Sequence, residues 1–197
     1  MKTFKTIGLI INPVAGKGYV ANSELARRGL VALGVRQVYT GHGQLGSDAL
    51  AGISVETTLH ETGERSSRAQ TLELAEWMGH RELDAVIVVG GDGTLADVAH
   101  VFSQVRQSPP LLGIGAGSTN AGALITCSLD KVDKLSPDIL EIISLPGLTA
   151  FDGEKLIGIG FNDCVLGKTV VATVAGSLRD VGVVEKFYGR NVPARPE

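Results

Sequence analysis

The stretch Asp84-Ala-Val-Ile-Val-Val-Gly-Gly-Asp-Gly-Thr94 decides how this chain folds. From Asp84 to Gly90 it is an almost unbroken apolar, β-branched run, the pattern of a strand buried on both faces of a parallel sheet. Beyond it Leu95, Val98, Phe102 and Val105 recur at helical spacing, which predicts a helix from about Thr94. Thr94 and Asp97 approximate a capping box, with Asp in place of the usual Glu or Gln. A buried strand, a glycine turn and a helix N-terminus together make a phosphate site, because glycine admits close approach and free N–H groups and the helix dipole face the anion. Asp92 stands out there. A carboxylate beside phosphates is repelled unless it holds a metal or a substrate hydroxyl, so it points to chemistry. The same pattern also occurs as an ordinary strand-to-helix turn with a turn aspartate.

Composition sets the outer bounds. The 197 residues are enough for one sizeable core, or one domain and part of another, and 44% apolar with 20% charged residues is ordinary for a globular protein. Glycine is abundant, at 26 residues, and several glycines fall at expected strand ends. A net charge of −3 argues against a nucleic-acid partner. Cys127 and Cys164 fit no metal-ligand spacing and read as reduced core thiols, and no set of metal-ligating residues is assigned. The apolar run Ile7–Ile11 is too short for a membrane span or a signal-peptide core, so the expectation is a cytoplasmic protein with no membrane partner.

Three more strand ends carry glycines. Ile7–Ile11 runs into Asn12-Pro-Val-Ala-Gly16-Lys17-Gly18, where Asn12 can donate to an anion and Lys17 can neutralise one, although the spacing is not that of a Walker A loop. Val35–Thr40 leads into Gly41-His42-Gly43-Gln44-Leu45-Gly46, and His42 reads as a solvated loop histidine. Leu111–Gly115 leads into Ala116-Gly117-Ser118-Thr119-Asn120. Helices are expected over Ser23–Leu33, stopped by Gly34, and over Ser67–Met78, closed by Gly79. A short helical stretch is expected at Ala121–Ile125 and a further helix from Ser136-Pro137 to Ser144. After Pro146-Gly147 only strand-type segments follow: Leu148–Phe151, Lys155–Phe161, Val165–Ala175 and Val183–Tyr188, with Asp152-Gly153 as a type I′ hairpin signal.

The expected fold is therefore α/β, a parallel-sheet, Rossmann-like nucleotide-binding domain over 1–145 followed by a short, partial β-rich domain over 146–197. Ligands of such sheets bind outside the carboxyl ends of the strands at the topological switch point, where the loops at Asn12, Asp92 and Ser118 would converge.

These residues resemble a known family. Gly90-Gly-Asp-Gly-Thr94 is similar to the signature of the NAD kinase and diacylglycerol kinase superfamily. Ile7–Gly18, Thr40–Ala49 and Gly113–Asn120 make the chain resemble the ATP-NAD kinase-like branch that includes acetoin-catabolism protein X. The resemblance covers residues 7 to about 125. It implies a kinase using ATP with Mg²⁺ or a similar metal to phosphorylate a hydroxyl of a small molecule or dinucleotide, the 2′-OH of the adenosine ribose in NAD kinases. It implies that Asp92 orients or deprotonates that hydroxyl and that Gly91, Gly93 and Thr94 hold phosphates. Asn12, with Gly16 in its loop, and the turn Gly117, Ser118, Thr119, Asn120 complete the cradle. Asn162-Asp163 resembles the Asn-Glu pair with which NAD kinases hold the dinucleotide, one methylene shorter.

NAD kinases carry a larger β domain than this chain supplies, which leaves three readings open: a fragment, a pocket wall from a neighbouring subunit, or lost catalysis. The competing functions are a non-catalytic nucleotide-binding or regulatory protein and a diacylglycerol-type lipid kinase. The lipid kinase ranks last for want of a visible basic or amphipathic face. Val170, Val171, Val174, Val183 and Val184 are too apolar to leave in water, so a homo-oligomer is expected.

Overall fold

The structure, a computed structural model, describes residues 4–64, 66–117, 120–161, 169–174 and 177–182. The chain divides into two compact units, Met1–Asn162 and Asp163–Glu197.

In the first unit six parallel strands form one sheet. They are β1 (Thr6–Ile11), β2 (Gln37–Gly41), β3 (Glu56–His60), β4 (Ala85–Gly90), β5 (Leu111–Gly115) and β6 (Ile125–Cys127), in the order β3-β2-β1-β4-β5-β6. That is the 3-2-1-4-5-6 order of the Rossmann fold, whose direction reverses between β1 and β4. Three helices cover the sheet: α1 (Tyr19–Leu33), α2 (Ser67–Gly79) and α3 (Asp92–Ser103). α1 packs on one face, over Ile7, Leu9, Ile11, Ile87 and Val89; α2 and α3 pack on the other, over Ile10, Val86 and Val88. Central strands sandwiched in this way must be apolar at every position, and all six residues of β4 are buried. Burying a valine or isoleucine contributes about 1.5–3 kcal/mol, so this centre anchors the fold.

A hairpin of β7 (Leu148–Asp152) and β8 (Lys155–Gly160) completes this unit. In the second unit, β9 (Thr169–Val174) and β10 (Ser177–Gly182) form an antiparallel pair.

Several boundaries differ from the sequence expectation, each for a physical reason. α3 begins at Asp92, with Gly91 as its N-cap, so Thr94 lies inside the first turn and no capping box forms. Asp97 instead accepts from Nε and Nη2 of Arg68. α1 begins at Tyr19, one turn early, and Gly34 ends it in the left-handed conformation as expected. α2 is capped by the Ser66 hydroxyl and runs through Gly79, so His80 rather than Gly79 is the residue that closes it. The alternating stretch Ile53–Thr58 reads as a strand from its first residue, but β3 starts at Glu56, and Ile53 and Val55 pack on the core ahead of it. Ala121–Ile125 is no helix; its last residue opens β6.

Nor does a helix follow Ser136-Pro137. The Ser136 hydroxyl accepts from Asp138 N, one turn forms, and the chain runs on without regular structure to Gly147. Local capping signals cannot hold a helix that lacks an apolar face to bury: Ile139, Ile142 and Ile143 are all exposed, and only Leu140 reaches the core. The hairpin is real, but its two-residue loop is Gly153-Glu154, with positive φ at Gly153 alone, so it is not the type I′ turn expected at Asp152-Gly153. β10 was not foreseen, and Val183–Tyr188 lies outside the described residues.

Candidate functional site

The loops after β1, β4 and β5 meet at the switch point. Asn12 N donates to Val89 O and Ala116 N to Gly90 O, so hydrogen bonds zip the three strand ends together right up to the loops. Beyond them the loops touch backbone to backbone. A Cβ on Gly117 would lie 2.7 Å from Gly91 Cα, and one on Gly16, at φ +53°, would lie 1.7 Å from Ala116 O. Only glycine permits both approaches. The loop after β1 is held from below by Asn22, buried in α1, whose amide donates to Asn12 O and Ala15 O.

α3 opens into this junction without a side-chain cap. The first three N–H groups of a helix have no intrahelical acceptor, and those of Asp92, Gly93 and Thr94 have none among the described residues. A Cβ on Gly93 would meet nothing within 4 Å, so the space beside this first turn is open. Gly93 also has no positive φ; its use here is to leave room, not to allow a special backbone conformation.

Asp92 is half-buried and tied down. Its Oδ2 accepts from Ala121 N at 3.1 Å and its Oδ1 from Gly122 N at 2.9 Å, so it fastens the β5–β6 connection to α3. Each oxygen keeps a lone pair for another donor or a cation. Asn120 is the one described non-glycine residue with positive φ, at 50°; its amide donates to Gly117 O, while its buried Oδ1 has no partner among the described residues.

Asn12 behaves otherwise than its sequence suggested. Its amide nitrogen donates to Thr94 Oγ1 at 2.8 Å, and its Oδ1 accepts from Val14 N and Ser67 Oγ, both at 3.1 Å. The side chain therefore braces three segments, leaving one amide hydrogen for an anion. Lys17 is exposed. Gly16, Gly91, Asp92, Gly93, Thr94, Gly117 and Asn120 gather at the same end of the sheet as Asn12. Ser118, Thr119, Asn162 and Asp163 lie outside the described residues. Ser67 and Asn22, which sequence reasoning missed, contribute from the helices; isolated polar residues within helical patterns carry no signal of their own.

The junction offers uncommitted N–H groups and an open approach, which fit a phosphorylated ligand, while the unpaired Asn120 Oδ1 is an acceptor suited to a hydroxyl or a cation. Among the described residues no cluster of three or more His, Cys, Asp or Glu side chains is placed to hold a metal ion. A hard divalent cation brought in with phosphates needs only one or two protein carboxylates, and Asp92 could serve as one. Cys127 takes no part: burial pushes its thiol up to about 11.

Fold and site together define a parallel α/β protein whose switch point opens onto the uncapped start of α3. Residues 6–143 match the model of the diacylglycerol kinase catalytic domain, so the chain belongs to that family, within the superfamily shared with NAD kinases. An uncharacterized protein of Archaeoglobus fulgidus is 31% identical over 191 residues, 96% of this chain and 58% of its own. An NAD kinase of Clostridium perfringens is 48% identical over 104 residues, covering 47% of this chain and 35% of that one. An NAD kinase of Chromohalobacter salexigens is 33% identical over 143 residues, covering 72% and 40%. A solved diacylglycerol kinase from Bacillus anthracis superposes with a TM-score of 0.39 at 19% identity, over 61% of this chain and 33% of that one. The chain thus spans between about a third and three-fifths of the length of these relatives. No described helix is long and apolar enough to cross a membrane.

Proposed function

We propose that this chain carries the nucleotide site of an ATP-dependent kinase that phosphorylates an alcohol, with the ribose 2′-OH of NAD as the acceptor. The observation that carries the reading is the junction itself: an uncapped helix start, with a carboxylate in its first turn, lies where three glycine loops touch. ATP bound with Mg²⁺ supplies the transferable phosphoryl group and the charge neutralisation. The N–H groups of Asp92, Gly93 and Thr94 face the phosphate oxygens, where aligned donors and the helix dipole favour negative charge. Asp92, already fixed by Ala121 and Gly122, uses its remaining lone pairs to orient the acceptor hydroxyl and take its proton as the oxygen attacks the γ-phosphorus, whose bond to the bridging oxygen breaks to release ADP. The partial matches to NAD kinases support NAD as that acceptor.

The match to the diacylglycerol kinase catalytic domain supports a second reading, a lipid alcohol as acceptor, which the sequence alone had ranked last and which we now hold beside NAD. Transfer of labelled phosphate from ATP to NAD or to diacylglycerol in mixed micelles separates the two. Product from NAD alone supports the first reading, product from the lipid alone the second. Nucleotide binding without transfer to either returns the protein to a binding or regulatory role. An oligomer belongs to the same proposal: Leu148, Phe151 and Ile157 of the β7–β8 hairpin are more than half exposed, apolar surface that a second copy would cover. Sedimentation at micromolar concentration tests this, and a compact monomer contradicts it.

A further inference from the structure

Asn12 is bonded in a way that decides the role of its neighbour. Val14 N–H can only donate, so the Asn12 atom facing it is the carbonyl oxygen, and the amide nitrogen is the atom that faces Thr94. Ser67 Oγ, from the first turn of α2, donates to the same Oδ1 and holds the amide plane in that sense. Thr94 Oγ1 is therefore an acceptor from Asn12, and its own hydrogen must go elsewhere. Gly90 O, one turn back, accepts from Ala116 N at 2.7 Å, and its second lone pair takes no bond from Thr94 Oγ1. Among the described residues the Thr94 hydroxyl has no acceptor. It lies in the first turn of α3, beside the uncommitted N–H groups.

We propose that Ser67, through Asn12, is a positioning residue that fixes Thr94 as a donor to a phosphate oxygen of the bound nucleotide, an inference that rests on the nucleotide-site reading above. The polarity runs one way: Ser67 O–H to Asn12 carbonyl, Asn12 N–H to Thr94 oxygen, Thr94 O–H to the ligand. Without Ser67 the amide keeps only Val14 to orient it, and Thr94 loses the constraint that turns its hydrogen outward. The bidentate contact of Arg68 with Asp97 ties the first turn of α2 to α3, which keeps Ser67 over Asn12. Ser66, not Ser67, caps α2, so replacing Ser67 leaves the cap intact.

The test is a double-mutant cycle read by calorimetric titration with ADP on the whole chain, using wild type, Ser67→Ala, Thr94→Val and the double variant, with thermal melts alongside. Thr94→Val is expected to weaken ADP about ten-fold and Ser67→Ala about three- to five-fold, near the net worth of one hydrogen bond. The double variant is expected to bind no worse than Thr94→Val alone, and Ser67→Thr, which keeps the hydroxyl, to restore affinity. Additive losses overturn the relay while leaving the nucleotide site standing. So does an Ser67→Ala variant that binds ADP as tightly as wild type. If wild type itself binds no ADP, the nucleotide-site reading falls and the relay with it. Should Thr94→Val fail to fold, Thr94→Ser takes its place: it keeps the donor, and Ser67→Ala must still weaken binding in that background.

Discussion

Two sets of glycines sit at the same end of the same sheet and do different work. Around β1, β4 and β5, Gly16, Gly91 and Gly117 let backbones meet, and the helix start beside them stays open. After β2, Gly41 and Gly46 are filled by the protein itself: a Cβ on Gly41 would lie 2.9 Å from both Leu45 and Leu74, and one on Gly46 would lie 1.9 Å from Thr40 Oγ1. Thr40 is buried and donates to Leu9 O. The first set lets the backbones of neighbouring loops close on one another beside an open helix start; the second packs a loop onto side chains of the core. Position at a strand end is shared, and what occupies the missing side chain's place is what differs.

The largest effect falls on Asp92. Asp92→Asn is expected to cut phosphotransfer by about 10²–10⁴-fold, the usual worth of a positioned base. One of its atoms would then face Ala121 N–H or Gly122 N–H with a donor in place of an acceptor, so faster amide exchange at those two residues should accompany the loss. Turnover near wild type removes Asp92 from the chemistry.

Next come two matched glycine variants. Gly16→Ala and Gly46→Ala both force a Cβ into occupied space and should each destabilise by about 1–3 kcal/mol in urea titrations. Only Gly16→Ala should also weaken ADP beyond what its lost stability explains. Equal effects on ADP from both variants would erase the distinction between the two loops.

A smaller effect concerns the connection after β3. Glu73 accepts from Gly63 N with both oxygens and from His60 Nε2 at 3.1 Å, and His60 stacks on Trp77 at 4.8 Å. Burial pushes the Glu73 carboxyl up, but the Gly63 and His60 contacts outweigh it, and its folded value lies below the ordinary 4.5. A carboxyl with a lowered folded value contributes stability that is fully present above 4.5 and lost as pH falls through that lower value. The emission of Trp77, the chain's one tryptophan, should therefore change at a midpoint below 4.5, and Glu73→Gln should abolish that step. A midpoint unmoved by the substitution assigns the transition elsewhere. Smallest of all is Gly93→Ala: it lies in a helix with open space around its Cβ, so stability should hold or rise by up to about 1 kcal/mol, while ADP affinity falls modestly.

How much of this was legible depended on range. β4 was legible because burial on both faces leaves a run that no exposed segment shares, and the switch point followed from strand order. The turn at Asp92 was legible as a strand-to-helix junction because glycines separate a buried strand from a segment of helical spacing. Contacts between distant segments were not. Arg68 and Asp97 are 29 residues apart, and no local pattern announces their pairing. Ser67 lies 55 residues from Asn12, and nothing near either one announces the bond. The stretch after Ser136 misled because a capping signal is local whereas a helix also needs a surface to cover. The glycines after β2 looked like those after β5, since a sequence does not show what fills the space in front of them.

The central claim, that the β1–β4–β5 junction is the nucleotide site and the β2 loop is packing, is tested most directly by backbone amide NMR of the whole chain titrated with ADP and Mg²⁺. Residues 12–18, 91–95 and 115–122 should shift together along one binding curve, with 41–46 unmoved. Shifts centred on 41–46, or a saturating titration that leaves 91–95 in place, would contradict it.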